Sequence, residues 1–324
     1  MKNYIIRRLL LMIPMVLGIT IISFLTLQLA PGSPVELLTD LNPNVSAESA
    51  ERLRELYNLD EPIHIQYLQW LKRVVSFDFG NSFTPDRRPV IDKIMERMPV
   101  TIFISAMTLL ITLLIAIPIG LLSASNPYGW FDRLSTLFVF IGFSAPGFWV
   151  ALLAMIFFGL MLGWLPISGL TSYNHADLNL IGKLVDYSKH LILPILVSAL
   201  SGLAFLSRLV RQSTLEVIES DFIVCARAKG VPRGLVLFKH SLRNALLPLI
   251  TTLGMSLPAL IGGSAIFETI FSIPGFGQLF LQSVYSRDYP LVMAALVIGS
   301  LLTLIGNLLA DITYAFADPR ISYE

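Results

Sequence analysis

Long apolar runs separated by polar segments dominate the chain, and six of them have the length of a transmembrane helix. A helix rises about 1.5 Å per residue, so roughly 20 apolar residues cross a hydrocarbon core about 30 Å thick. The pattern therefore predicts an all-α integral membrane protein with six spans. These spans comprise residues 9–30, 99–123, 134–162, 191–207, 245–267 and 291–310.

A polar segment, residues 31–97, separates the first two spans and has the pattern of a helical insert. It opens with a stretch rich in proline and glycine that ends the first helix. Ser46 is a suitable N-cap for a helix over residues 49–57. A second helix is predicted to start after Pro62 and to end near Val75.

The low content of charged residues agrees with a membrane protein. Only 14% of the residues are charged and 55% are hydrophobic, whereas a soluble domain carries about 25% charged residues. The net charge of +1 and the lack of an arginine-rich tract give no indication of a nucleic-acid partner. Cys225 is the single cysteine and cannot form an internal disulfide, so we expect it to be a small, half-buried packing residue and not a reactive thiol.

The distribution of basic residues predicts that both termini are cytoplasmic. Three basic residues before the first span and seven within residues 208–249 would lie inside, whereas the short outer loops, 163–190 and 268–290, hold only three. A signal peptide is the competing interpretation of the first apolar run. Its length and the presence of Gln28, where a small residue is expected, argue against cleavage.

The spans lack the chemistry of a gradient-driven carrier or an enzyme. They contain almost no ionisable side chain before Asp311, whereas proton- and sodium-coupled carriers keep such groups in the membrane. The chain has no G-x-x-x-x-G-K-[ST] loop for nucleotide phosphates and no protease or hydrolase motif. Its four histidines show no metal-ligand spacing. We therefore expect no catalytic residue, no metal site and no bound cofactor, and we expect the energy for transport to come from a partner.

Residues 208–249 form the most basic segment and have the pattern of a helix-turn-helix. Ser213 and Glu216 match a capping box, which predicts that a helix starts there. Gly230 is a suitable C-terminal cap, and a second helix is predicted over residues 235–244. An apolar stripe is formed by Leu215, Ile218, Phe222, Cys225 and Ala226.

The apolar stripe requires a partner surface, either lipid headgroups or another protein. Basic amphipathic helices often lie on anionic membranes. Here the acidic residues Glu216, Glu219 and Asp221 are mixed with the basic ones, which favours a protein partner.

The segment also resembles a known motif. Residues 226–230 (ARAKG), followed by His240 and residues 242–244 (LRN), resemble the EAA loop of membrane subunits of bacterial ABC importers, in the form found in the dipeptide and oligopeptide permease family. Other segments of the chain also resemble signatures of this family, and they occur in the family's order. They are Arg7 and Arg8, residues 30–34 (APGSP), 67–70 (YLQW), 77–82 (FDFGNS), 274–277 (PGFG), 287–290 (RDYP) and 317–321 (ADPRI).

The resemblance implies a type I importer permease with six spans in a bacterial cytoplasmic (inner) membrane, in contact with membrane lipid. It also implies a second homologous permease, two ATP-binding subunits that hold ATP and magnesium, and an extracytoplasmic substrate-binding protein. The motif loop would be the coupling helix that docks on the ATPase. Its residues here are Asp221, Phe222, Cys225, Ala226, Arg227, Ala228, Lys229, Gly230, Val231 and Arg233.

The motif departs from the general importer pattern at three places. Val224 replaces its Glu, Cys225 replaces its first Ala, and its closing Leu-Pro pair reads Leu242 and Arg243. The loss of the Glu leaves open which contact with the ATPase the acidic group would make. Peptide-type permeases resemble this sequence in lacking it.

The predicted span 245–267 contains residues that weaken a helix. A proline removes one backbone hydrogen bond in the middle of the membrane, where neighbouring protein or water must satisfy the freed carbonyl. The span is either a flexible helix that lines the translocation path or a helix that packs closely through small residues. The residues concerned are Gly254, Pro258, Gly262 and Gly263.

The predicted organisation has four parts: a first segment and span (1–30), an extracytoplasmic helical insert (31–97), a permease core (98–315) that contains the coupling loop 208–245, and a cytoplasmic tail (316–324). The function implied is that of a peptide importer permease. Permeases for nickel complexes or glutathione are alternatives within the same family. A self-sufficient channel or facilitator and an intramembrane enzyme are alternatives of other classes.

Overall fold

The computed structural model describes residues 2–29, 61–246, 248–250, 252, 253 and 263–317. These residues form helices and, outside them, one isolated β-bridge between Asn81 and Pro89. The helices of the first half are α1 (Lys2–Gln28), α2 (Ile63–Val75), α3 (Val90–Ser125), α4 (Trp130–Ser144) and α5 (Gly147–Ala154), which continues as a π-helix, Met155–Met161. The second half contains α6 (Leu180–Ile218), α7 (Asp221–Ala228), α8 (Arg233–Leu235), a π-helix (Val236–Ser241), α9 (Leu242–Ala245), α10 (Ala265–Ile270), α11 (Phe276–Tyr285) and α12 (Tyr289–Ala317).

The described helices confirm an all-α membrane architecture. Four of them, α1, α3, α6 and α12, are long and apolar enough to cross a membrane, and a bent pair formed by α4 and α5 would make a fifth. The middle of the predicted span 245–267, residues 254–262, lies outside the described residues, as does the predicted helix 49–57. The number of six spans therefore stays a prediction, whereas the second insert helix is confirmed as α2.

The predicted span 134–162 corresponds to two helices, α4 and α5 with its π-helical continuation, joined at a bend. The chain bends by more than 40° between α4 and α5. Ala145 adopts an extended conformation, with φ −83° and ψ 133°. It precedes Pro146, whose ring disfavours the helical conformation of the preceding residue.

The chain divides into two compact units, and α3 and α12 contribute residues to both. In the unit made of residues 100–278 and 305–322, α6 contributes to two apolar clusters. One contains Leu191, Val197 and Phe271, and the other contains Val210 and Leu249. Helix α6 therefore contributes to the apolar core of this unit at two places along its length.

The other unit, residues 1–99, 279–304 and 323–324, contains α1 and α2. The hydroxyl groups of Thr20 on α1 and Tyr67 on α2 are hydrogen-bonded at 3.0 Å. The rings of Tyr67 and Trp70 lie 5.5 and 5.9 Å from the ring of Phe24. The YLQW segment thus joins the insert to the first span.

Two segments that are far apart in the sequence meet in the same unit. The Ser82 hydroxyl, in the FDFGNS segment, donates to the buried carboxylate of Asp288 in the RDYP segment. The Lys93 ammonium donates to Ser82 Oγ at 3.0 Å and to Asp86 Oδ1 at 2.7 Å. Hydrogen bonds from Lys93 and Thr84 lower the pKa of Asp86 to about 2. This network connects the end of the insert to the start of α12.

A second polar network surrounds the N-terminal end of α6. Asp186 accepts hydrogen bonds from the backbone N–H of Ser172 at 3.0 Å and from its hydroxyl at 2.6 Å. His175 Nδ1 lies 2.7 Å from Asp186 Oδ2, and His190 Nδ1 lies 3.4 Å from Oδ1. Sequence spacing did not reveal this grouping. Among the described residues, no group of three His, Cys, Asp or Glu side chains could hold a metal ion.

Candidate functional site

The predicted coupling loop, residues 208–245, which we call the coupling segment, begins with a helix end that differs from the one predicted. Helix α6 continues without interruption to Ile218, so Ser213 lies inside it and is buried, and the predicted helix start there is wrong. The chain turns at Glu219 and Ser220, and α7 begins at Asp221. Ser220 has the extended conformation of an N-cap residue, and Asp221 is favourable in the first turn because of the helix dipole.

The turn changes which side chains share a face. Ile223 is fully buried and anchors α7, whereas Phe222 and Val224 are 48% and 55% exposed. Cys225 is also exposed, so the expectation that it is half-buried is wrong. The predicted stripe from Leu215 through α7 is therefore wrong, because α7 does not continue the helical register of α6. The exposed apolar side chains Phe222, Val224 and Cys225 therefore belong to α7 alone.

The basic part of α7 is also accessible. Arg227, Ala228 and Lys229 are exposed, and Ala226 is half-buried. Helix α7 and its C-cap therefore expose apolar side chains and the cations Arg227 and Lys229 at the protein surface. Ile223 is the buried side chain that packs α7 against the rest of the protein.

Gly230 ends α7 as the sequence predicts. Its φ of +79° is in the left-handed region, which favours glycine. The N–H of Val231 donates to the carbonyl of Ala226 at 3.2 Å, and the N–H of Gly230 donates to the carbonyl of Arg227 at 2.9 Å. These two bonds form a Schellman motif, which fixes the direction in which the chain leaves the helix.

The second helix of the segment is confirmed, with one difference in geometry. It begins at Arg233, after Pro232, and ends at Ala245. Residues 236–241 form a π-helix, in which the hydrogen bonds span five residues instead of four. Val236 and Leu237 are buried and hold this helix in place.

An ion pair fixes the end of α6 next to the coupling segment. Arg211 Nε and Nη2 donate to the two carboxylate oxygens of Asp132 at 2.7 and 2.8 Å. Asp132 also accepts the backbone N–H of Tyr128 at 2.8 Å. The side chains of Asp132 and Arg211 are only 5% and 23% exposed. Sequence analysis missed this pair because 79 residues separate its members.

The predicted path residues are only partly described. Gly254, Pro258 and Gly262 lie outside the described residues, and Gly263 is the one that can be placed. Gly263 has a φ of +60°, and a Cβ atom there would lie 2.7 Å from Glu268 Oε1. A side chain at this position would therefore be strained and would collide with Glu268.

Glu268 forms a buried clamp that sequence analysis also missed. Its Oε1 accepts the Thr101 hydroxyl at 2.7 Å, and its Oε2 accepts the N–H of Gln278 at 2.8 Å. Thr101 Oγ1 in turn accepts the N–H of Phe276 at 2.7 Å. Burial raises the pKa of Glu268, although these hydrogen bonds oppose the shift. The clamp connects the end of the PGFG segment to α3.

Replacing Gly275 with alanine is expected to damage the clamp, because the new methyl group would overlap the Glu268 carboxyl group. Overpacking of this kind costs about 1–3 kcal/mol. The measurement is the thermal unfolding midpoint of the purified protein in detergent. Gly299→Ala is the matched control, since nothing lies within 4 Å of its added methyl group. Equal midpoints for the two variants would contradict the clamp.

An apolar cavity of about 450 Å³ lies beside Glu268 and Gly263. Hydroxyl groups from α3 and α6 interrupt its apolar wall. The Thr108 hydroxyl is buried and makes no hydrogen bond within the part of the chain that the structure describes. The hydroxyl-bearing side chains of the wall are Ser105, Thr108, Thr112, Ser198, Thr252 and Ser264.

Comparison with protein families gives two matches that together span most of the chain. Residues 116–323 match the model of the "binding-protein-dependent transport system inner membrane component". Residues 1–105 match the model of the N-terminal part of a binding-protein-dependent transport system membrane component.

Individual relatives match over their full length. The chain is 44% identical over 323 residues to the oligopeptide transport system permease protein AppB of Bacillus subtilis, covering 100% of both chains. It is 37% identical to a putative peptide transport system permease protein of Brucella abortus and 34% identical to the dipeptide transport system permease protein DppB of Alkalihalophilus pseudofirmus, again covering 100% of each. A solved structure of the MetNI methionine ABC transporter aligns with 68% of this chain and 96% of its own, with a TM-score of 0.49 and 19% identity.

Proposed function

Because the chain belongs to the family of binding-protein-dependent transport system inner membrane components, we propose that it is the permease subunit of an ATP-driven peptide importer. The observation that carries this proposal is the full-length similarity to oligopeptide and dipeptide permeases, at 44% and 34% identity. The apolar helices supply the membrane part of such a transporter.

The exposed face of α7 supports a role in coupling. Phe222, Val224 and Cys225 are apolar and exposed on a helix that one buried residue, Ile223, anchors. In an ATP-driven importer this face would dock on an ATP-binding subunit. Where the motif's Glu is replaced by Val224, the contact would be apolar.

Helix α6 supports the transmission of movement from this docking site. It runs without interruption from Leu180 to Ile218, a length of about 58 Å at 1.5 Å per residue. Arg211 joins it to Asp132 near the coupling segment. Closure of the ATP-binding subunits would therefore move α7 and α6 together and change the side on which the path is open.

The proposed assembly contains a second homologous permease, two ATP-binding subunits and an extracytoplasmic substrate-binding protein. The chain itself would catalyse no covalent reaction, and ATP and magnesium would bind to the partners. It would lie in a bacterial cytoplasmic membrane with both termini inside. Large apolar side chains such as Leu114 and Phe138, 64% and 71% exposed, suit contact with lipid or with the second permease.

Abolishing ATP binding in the partner ATPases is expected to reduce peptide uptake to background. The measurement is uptake of a radiolabelled tripeptide into proteoliposomes that contain the complete transporter and its binding protein. The matched control is the same transporter with unmodified ATPases and ATP. Uptake that persists with the defective ATPases, or with this chain alone, would instead identify a channel or facilitator.

A further inference from the structure

A cavity of about 250 Å³ lies beside the coupling helix, and we call it the loop cavity. Its apolar wall comes from the end of α6 and from the π-helix. Leu215 and Ile218 contribute from α6, and Val236 and Leu237 contribute from the π-helix. The cavity is somewhat smaller than the roughly 300–1,000 Å³ typical of sites for drug-sized ligands. It therefore suits a molecule of the size of an amino acid or a dipeptide.

Ser241 places an unsatisfied polar group in the wall of this cavity. The residue is 0% exposed, and its hydroxyl has no hydrogen-bond partner in the described part of the chain. Ser283 and Ser300, which lie in α-helices, donate to the carbonyl four residues earlier. Ser241 ends a π-helix and makes no such bond. A buried hydroxyl without a partner is unfavourable, and π-helical turns often occur at functional sites.

Two opposite charges line the same cavity. Glu219 lies at the C-terminal end of α6, and Arg227 lies on α7. Within the described ranges, neither side chain forms an ion pair or a side-chain hydrogen bond. Both charges are therefore available to a ligand that carries a cation and an anion.

We propose that the loop cavity binds a small zwitterion with an apolar side chain, either a free amino acid or a dipeptide. The ligand carboxylate would pair with Arg227, its ammonium group with Glu219, and its apolar side chain would contact Leu215 and Leu237. The Ser241 hydroxyl would bond to a polar atom of the ligand backbone. The proposal rests on the proposed function for its cytoplasmic location, where peptides and their hydrolysis products accumulate after import.

Photo-crosslinking on the complete transporter in lipid nanodiscs tests this proposal. The probes are photo-leucine and leucyl-photo-leucine, which distinguish a free amino acid from a dipeptide, and the crosslinked residues are mapped by mass spectrometry. We expect labelling within residues 215–219 and 236–241. The neutral N-acetyl-photo-leucine amide keeps the apolar side chain but lacks both charges, so it should label this region at least about tenfold less.

Two variants distinguish specific binding from nonspecific labelling. Glu219→Gln should reduce labelling about tenfold because it removes the partner of the ammonium group. Ser241→Ala, which removes only the hydroxyl, should also reduce it. Glu216→Gln is the matched control and should label like the unmodified protein, because Glu216 lies one turn earlier and does not line the cavity.

Three results would overturn the proposal. They are labelling confined to other regions, equal labelling of the Glu219→Gln and Glu216→Gln transporters, and labelling of the isolated permease that disappears in the complete transporter. The last result would mean that a partner polypeptide occupies the cavity. ATP-driven uptake measured with the same protein separates the two hypotheses, since normal uptake without labelling contradicts only the loop cavity.

Discussion

Replacing Arg211 with alanine is expected to lower the stability of the protein by about 3 kcal/mol, near the lower end of the cost of breaking a buried ion pair. Asp132 would keep a single neutral hydrogen bond, from the Tyr128 N–H, to a carboxylate that is only 5% exposed. The unpaired charge, and not the lost attraction itself, accounts for most of this loss. The measurement is the thermal unfolding midpoint in detergent, together with ATP-driven uptake.

Two further variants separate the ion pair from general effects of losing an arginine. Arg208→Ala removes a cation that lies 4.7 Å from the centre of the Phe140 ring, and we expect it to cost only about 0.5–1 kcal/mol. The double variant Asp132→Asn with Arg211→Ala should be more stable than Arg211→Ala alone, because the buried charge is gone. A loss for Arg211→Ala no greater than that for Arg208→Ala would show that the bridge does not stabilise this end of α6.

Replacing Gly230 with valine is expected to leave insertion intact and to uncouple ATP hydrolysis from peptide uptake. An L-residue in the left-handed conformation costs about 1–2 kcal/mol, and a β-branched side chain makes the conformation less favourable still. A strain of about 1.4 kcal/mol changes a conformational equilibrium roughly tenfold. The Schellman motif would then be populated less, and the chain would leave α7 in another direction more often.

The measurement is the number of peptides imported per ATP hydrolysed, which should fall with that equilibrium, by up to about tenfold. Gly234→Val is the matched control in the same segment. Nothing lies within 4 Å of a Cβ atom at either glycine, and only Gly230 has a positive φ. If both variants couple normally, the geometry of the α7 end does not matter for coupling.

Local sequence signals were sufficient where one short segment determines the structure. Pro62 predicts the start of α2, and the helix indeed begins at the next residue. Gly230 predicts the end of α7, because the left-handed conformation there favours glycine. Membrane spans were predictable for the same reason, since their apolar composition is continuous.

Local signals failed where a contact between distant residues, or the register of a long helix, determines the structure. Ser213 and Glu216 match a capping box, but α6 continues past them because Val210 and Thr214 are fully buried against its neighbours. The Thr101–Glu268 clamp joins residues 167 positions apart, and no spacing predicts it. The sequence signal that was available for this clamp is Glu268, a single glutamate at the end of an apolar run.

In the proposed transporter, the uninterrupted length of α6 would have a consequence for control from outside the cell. One end of the helix carries Asp186 with its serine and histidine partners, and the other carries Arg211 beside the coupling segment. Coupling free energies are reciprocal between two sites. If ATP binding at one end changes how the outer end receives the loaded binding protein, then docking of that protein must change the ATP affinity of the partners by the same factor. One continuous helix would thus let the transporter sense a waiting substrate before it hydrolyses ATP.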